Sequence, residues 1–205
     1  GDGSGETAES LAKLLDAVCE VRSVNASSVG HQRLAADRRV HSSKRAGGAG
    51  RDSTRWVPDL VIVVAHHAVS PARAGVWLRR EIPHLAVVVG DRSARVGPLV
   101  TAGVGPCLSC VEMLACDADP ARTAMLAQLA AKPCGGANTL VHAEISAVVA
   151  RVILAETDAS RDNDLEPGEV LKLDAATGLW TTETISTCSR CSCRALPENG
   201  TAAAA

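Results

Sequence analysis

Five cysteines in two tight clusters constrain this chain more than any other feature. They are Cys107-Leu108-Ser109-Cys110 near the middle and Cys188-Ser189-Arg190-Cys191-Ser192-Cys193 near the end. A C-x-x-C pair on a short turn can hold both sulfurs about 2.3 Å from one zinc ion, and further thiols complete a tetrahedron. A shared ion would tie the tail of the chain back to its middle. Four thiolates leave no open coordination position, so such a site is structural. Cys107, Cys110 and Cys191 are the expected ligands. The fourth is Cys193 or Cys188, the latter by C-x-x-C spacing. Cys19, Cys116 and Cys134 read as small buried apolar residues. Cysteines arranged this way suit a metal and a reducing compartment better than a disulfide framework, so a cytoplasmic protein is expected.

Composition narrows the rest. A chain of 205 residues favours one domain, expected over 1–195, with a sizeable core. Phe and Tyr are absent, so the core must be packed from Val, Leu, Ile and Ala around three Trp. Platforms for stacking single-stranded nucleic acid are missing. A net charge of −2 gives no electrostatic case for a nucleic-acid or membrane partner. The apolar runs are shorter than the ~20 residues that span a bilayer, and no signal peptide opens the chain.

Gly1, Gly3 and Gly5 precede a helical pattern carrying Leu11, Leu14, Leu15 and Val18. Glycines ahead of a helix resemble a degenerate nucleotide-binding turn, although the strand expected before it is not in this sequence. Cys19–Val24 reads as a short strand and 31–40 as a short helix. Residues 41–55, basic and glycine-containing, read as a mobile loop. Leu60-Val61-Ile62-Val63-Val64 is a β-branched run of the kind buried on both faces of a parallel sheet. Ser70-Pro71 starts a helix with Val76, Leu78 and Ile82 on its apolar side. Leu85-Ala86-Val87-Val88-Val89 is a second buried strand, so a right-handed parallel crossover is expected. A strand and turn from Arg95 lead to Cys107. Helices follow over 120–131 and 139–156. Val170–Asp174 and Leu179–Glu183 read as a hairpin, and 196–205 as a disordered tail. The expected fold is α/β with a mostly parallel, Rossmann-like sheet, a C-terminal hairpin and a zinc clip.

Several residues of 57–193 carry a family resemblance. They are Pro58-Asp59-Leu60-Val61-Ile62-Val63, Ile82-Pro83-His84-Leu85, Val96-Gly97-Pro98-Leu99-Val100 before Cys107-x-x-Cys110, Asp117-Ala118-Asp119-Pro120-Ala121, and Ala127-Gln128-Leu129. This pattern resembles the ThiF/MoeB-like domain (the ubiquitin-activating-enzyme fold) of actinobacterial partner proteins of azole-forming peptide cyclodehydratases, often described as leader-peptide-binding proteins. The tail of that family usually reads H-P-x-C-G-C, which implies Cys193 as the fourth zinc ligand and Cys188 in place of a histidine. The wider superfamily adenylates a C-terminal carboxylate with ATP and holds Mg²⁺ on an aspartate after a central strand. Here that position is Ala65-His66-His67, which lacks a hard oxygen ligand. The resemblance therefore implies a zinc-containing, non-adenylating scaffold partnering a YcaO-type cyclodehydratase or a modified-peptide precursor, with a homodimer expected. An ATP-dependent adenylyltransferase and a stand-alone structural protein are the alternatives.

Three further places each admit two readings. His66-His67 follows a central strand, where open α/β sheets place ligands, or is an ordinary loop. His142 and Glu144, near a helix start, form a metal or acid–base pair or cap a helix with an exposed face. Cys134 before Gly135-Gly136 is a reactive thiol or a buried one.

Overall fold

The computed structural model describes residues 9, 11–13, 57–129, 139–157 and 165–195. Gly1, Gly3, Gly5, Cys19–Val24, the helix of 31–40, the loop of 41–55, Cys134 and the tail of 196–205 lie outside the described residues.

The β-branched run becomes β1 (Val61–His66). Ser70 stands at the start of α1 (Pro71–Leu78) with extended backbone angles, and Pro71 fills the first helical turn. There the missing proline N–H has no helical partner to lose. β2 (His84–Val89) follows, every residue buried. β1 and β2 pair in parallel from Val61 opposite His84 to His66 opposite Val89, as the strand–helix–strand pattern predicts. β3 (Ser93–Val100), β4 (Glu169–Asp174) and β5 (Trp180–Thr184) complete a five-stranded sheet in the order β1-β2-β3-β4-β5.

That sheet corrects the expectation of a mostly parallel arrangement. Among the described strands only β1–β2 is parallel, while β2–β3, β3–β4 and β4–β5 are antiparallel. The reason is connection length. β2 and β3 are joined by a tight turn in which the Gly90 N–H donates to the Ser93 carbonyl at 2.8 Å. A parallel partner needs a crossover of a dozen or more residues, so a turn this short permits only an antiparallel strand. The expected C-terminal hairpin is present. Its turn is held by Asp174 Oδ1, which accepts the N–H groups of Ala176 at 2.9 Å and Thr177 at 3.0 Å.

Gly97-Pro98 is a bulge in β3. Val96 pairs with Val87 and Leu99 with Leu85, so β3 carries one residue more than β2 across that interval. Gly97 has φ +112°, and a Cβ there would lie 2.6 Å from the Glu169 carbonyl oxygen. Pro98, which has no N–H to give a ladder, is tolerated where the ladder is interrupted.

Helices cover the two faces. α4 (Thr139–Thr157) packs Val141, Ile145, Val149 and Val152 with Val87, Val89, Val96 and Leu173 into one buried cluster, which also includes Leu11. The second cluster joins Ala86, Val88 and Val100 to Ala74 of α1, Leu108 at the start of a helix, and five cysteines. That helix, α2 (Leu108–Ala118), was not expected from sequence, whereas α3 (Arg122–Leu129) falls inside the expected 120–131. A short 3-10 turn over Ser192–Ala195 closes the described chain.

Candidate metal centre and adjoining clefts

Cys107 is the residue before α2, in extended conformation, and Cys110 lies on the first turn of that helix. The first knuckle is therefore a strand-to-helix turn. The second arrives because the segment after β5 is held against the first. The Ile185 N–H donates to the Gly168 carbonyl at 2.9 Å. Gly168, with φ +90°, allows the close approach: a Cβ there would lie 2.4 Å from the Ile185 oxygen. The Arg190 guanidinium also pairs with the Asp117 carboxylate at the end of α2.

These contacts bring Cys107, Cys110, Cys191 and Cys193 together, all buried, with their sulfurs within 4.8 Å of one another. Cys107 Sγ lies 3.9 Å from Cys110 Sγ and 3.5 Å from Cys191 Sγ, and Cys110 Sγ lies 3.3 Å from Cys193 Sγ. Four sulfurs each 2.3 Å from a tetrahedral zinc are about 3.8 Å apart. The cluster therefore fits a metal of that size and preference. Cys188 is buried beside it but stands outside the group of four. Its carbonyl accepts the Cys191 N–H at 3.0 Å, so its place is in the turn of the knuckle.

The thiols are electrostatically unequal. Burial works to raise the pKa of Cys107, but it is outweighed by the backbone N–H groups of Cys110 and Ser109 and by the neighbouring sulfurs, so the net direction is down. Burial, above all, pushes Cys191 up to about 11. Burial and the Cys110 sulfur push Cys193 up further. Metal ligands must be thiolates, so loading the site releases protons. Cys116 is not part of the centre. It is half-buried on α2, its sulfur 3.6 Å from Glu112 Oε1 and 3.5 Å from Thr123 Oγ1.

Two clefts of about 280 Å³ each lie on the same face of the sheet, and Val88 and Arg95 line both. One lies under α2, with Ala68, Arg95, Val170 and Glu183 among its lining residues. Glu112 forms part of its wall, held by a two-pronged pair from Arg122 with Nε–Oε1 3.0 Å and Nη2–Oε2 3.1 Å. The other cleft lies at the carboxyl ends of β1 and β2, between His67, the Gly90–Ser93 turn and Leu126 and Leu129 of α3. His67 has φ +59°, and its Nε2 is buried without a hydrogen-bond partner. Of the His66-His67 pair, His67 thus borders a cleft. His142 and Glu144 instead lie within α4, where His142 is buried in the helix–sheet layer, and no metal group forms there among the described residues.

Fold and site together define a mixed α/β protein with a buried four-cysteine centre able to hold a metal ion. No protein-family model and no curated protein matches the chain. Solved structures do. E. coli MccB matches with TM-score 0.51 and 15% identity over 65% of this chain and 39% of its own. The microcin C7 biosynthetic enzyme MccB in complex with N-formylated MccA matches with TM-score 0.50 and 17% identity over 66% of this chain and 41% of its own. The heterocyclase TruD matches with TM-score 0.51 and 18% identity over 69% of this chain and 22% of its own. The chain thus spans about two fifths of MccB and about a fifth of TruD. At these identities the likeness is one of fold, and it supports the ThiF-like resemblance at that level.

Proposed function

We propose that this chain is a cytoplasmic, zinc-containing, non-adenylating ThiF-like scaffold in peptide modification, partnering a YcaO-type cyclodehydratase or its precursor peptide. The fold likeness to MccB, solved with a peptide, and to the heterocyclase TruD supports the peptide-modification theme. Cys107, Cys110, Cys191 and Cys193 would hold the zinc, whose part is to fasten the tail to α2.

The observation that carries the non-adenylating part is the end of β1. It runs out through Ala65 and His66 into His67, with no carboxylate at the position where the superfamily holds magnesium. Imidazoles are softer ligands than the oxygens Mg²⁺ requires. The test is calorimetric titration with Mg-ATP, together with co-purification of a YcaO-type partner. The scaffold reading expects no ATP binding and a stable complex. Micromolar Mg-ATP binding with pyrophosphate exchange would replace it with the adenylyltransferase reading.

A further inference from the structure

The sulfurs of the cysteine centre are not evenly spaced. Cys110 Sγ lies 3.3 Å from Cys193 Sγ and Cys107 Sγ lies 3.5 Å from Cys191 Sγ. The two sulfurs of the first knuckle, Cys107 and Cys110, are 3.9 Å apart. Four thiols can be joined as two pairs in three ways. One of these ways uses both short contacts, and each of its pairs ties one segment to the other, across 84 positions for Cys107 with Cys191 and 83 for Cys110 with Cys193.

Each knuckle also offers a local pair at C-x-x-C spacing, Cys107 with Cys110 and Cys188 with Cys191. Those pairs would close each segment on itself and part the tail from α2. The sulfur positions speak against them, since the Cys107–Cys110 contact is the longer one and Cys188 stands outside the group of four. The side chains packed round the centre, among them Ala86, Val88, Val100 and Leu108, are apolar. The nucleophile facing each of these four sulfurs is therefore another sulfur. The thiolates that hold a metal are also the form that a peroxide oxidises.

We propose that the centre is also a peroxide-reactive site, at which zinc is exchanged for two disulfides, Cys110 with Cys193 and Cys107 with Cys191, so that the tail stays fastened to α2. The inference rests on the zinc reading of the centre. For each disulfide, one thiolate attacks a peroxide oxygen; the O–O bond breaks, giving a sulfenic acid and hydroxide. The facing thiolate then attacks that sulfur, forming the S–S bond and expelling a second hydroxide. Two molecules of hydrogen peroxide thus take four electrons from four thiolates, and the ion leaves as Zn²⁺ with its oxidation state unchanged. Chelation of the reduced chain leaves four separate thiols, whereas peroxide leaves two covalent ties.

The test uses the full chain, its zinc content first measured by native mass spectrometry. Zinc release on adding hydrogen peroxide in molar excess is followed with a chromogenic chelator. Remaining thiols are then alkylated, and the disulfides are mapped by peptide mass spectrometry without reduction. The expected products join Cys110 to Cys193 and Cys107 to Cys191, formed in step with zinc release. The oxidised chain should melt at least about 5 °C above the same chain chelated and reduced, the scale on which a tie across a long loop acts in a chain of this size. Cys188→Ser should give the same two disulfides. A predominance of the Cys107–Cys110 pair, a pair that includes Cys188, sulfinic acids without disulfides, or thiols that stay reduced in excess peroxide would overturn the proposal. A wild type isolated without zinc would contradict the zinc reading itself, and the exchange with it, so the first measurement tells the two failures apart.

Discussion

Cys110 Sγ and Cys193 Sγ lie 3.3 Å apart across 83 positions of sequence. One sits on the first turn of α2 and the other in a 3-10 turn beyond the last strand. The two ends of this contact close a loop that contains α3, α4, β4 and β5. A metal between them would act as a bolt on that whole half of the molecule.

Chelation should release the bolt. Treatment with a strong zinc chelator is expected to lower the thermal midpoint and to expose the segment after β5 to protease before the rest of the chain. The stability of structural zinc sites is largely metal-binding free energy, so a loss of several kcal/mol is expected. Scanning calorimetry and limited proteolysis, before and after chelation, measure both effects.

Gly97→Ala should cost at least about 2 kcal/mol, because a left-handed backbone is imposed on a side chain. Its Cβ would also sit 2.6 Å from the Glu169 oxygen of the next strand. Gly178 provides the control: its φ is +71°, but a Cβ there would meet nothing within 4 Å. Gly178→Ala should therefore cost clearly less in denaturant unfolding.

Packing of α4 on the sheet predicts a contrast within one helix. Ile145 is fully buried, whereas Leu140 is 65% exposed. Ile145→Ala should lose about 3 kcal/mol, from lost transfer energy and the cavity left behind. Leu140→Ala should stay within about 0.5 kcal/mol. Urea midpoints of the two variants decide the matter.

His84 gives a pH dependence. Burial, the larger cause, draws its pKa below the ordinary 6.5, and the bond between its Nδ1 and the Ile82 carbonyl only partly opposes this. The folded state therefore keeps the ring neutral while the unfolded chain protonates. Its contribution is fully present above pH 6.5 and is lost as the pH falls below it through the folded value. His84→Asn should flatten the acid side of the stability profile relative to wild type. An unchanged profile would remove His84 from the account.

Much of this fold is legible in the sequence. The runs Val61–Val64 and Leu85–Val89 predict two buried parallel strands; both form and pair in parallel, but β2 is buried throughout whereas β1 is only half-buried. The signals flanking α1 are local. The antiparallel remainder was legible too, in the shortness of Gly90-Asp91-Arg92-Ser93, but a fold-level analogy to parallel sheets outweighed it. α2 escaped because it starts inside the cysteine knuckle, where Cys107-Leu108-Ser109-Cys110 reads as a metal turn before it reads as a helix. Spacing points to Cys107, Cys110 and Cys191 and leaves the fourth ligand open, the family resemblance implies Cys193, and the sulfur positions set Cys188 apart from it. Arg95 could not be found this way. A single arginine in an apolar strand carries no motif, and its place on the border of both clefts arises only when β3, α2 and α3 are brought together.

The most direct test of the central claim is zinc stoichiometry by native mass spectrometry of the wild-type chain, Cys193→Ser and Cys188→Ser. One zinc per chain is predicted for the wild type and for Cys188→Ser, with little or none for Cys193→Ser. A metal-free wild type, or a Cys193→Ser variant that keeps its full equivalent, would contradict the account of how this chain is held together.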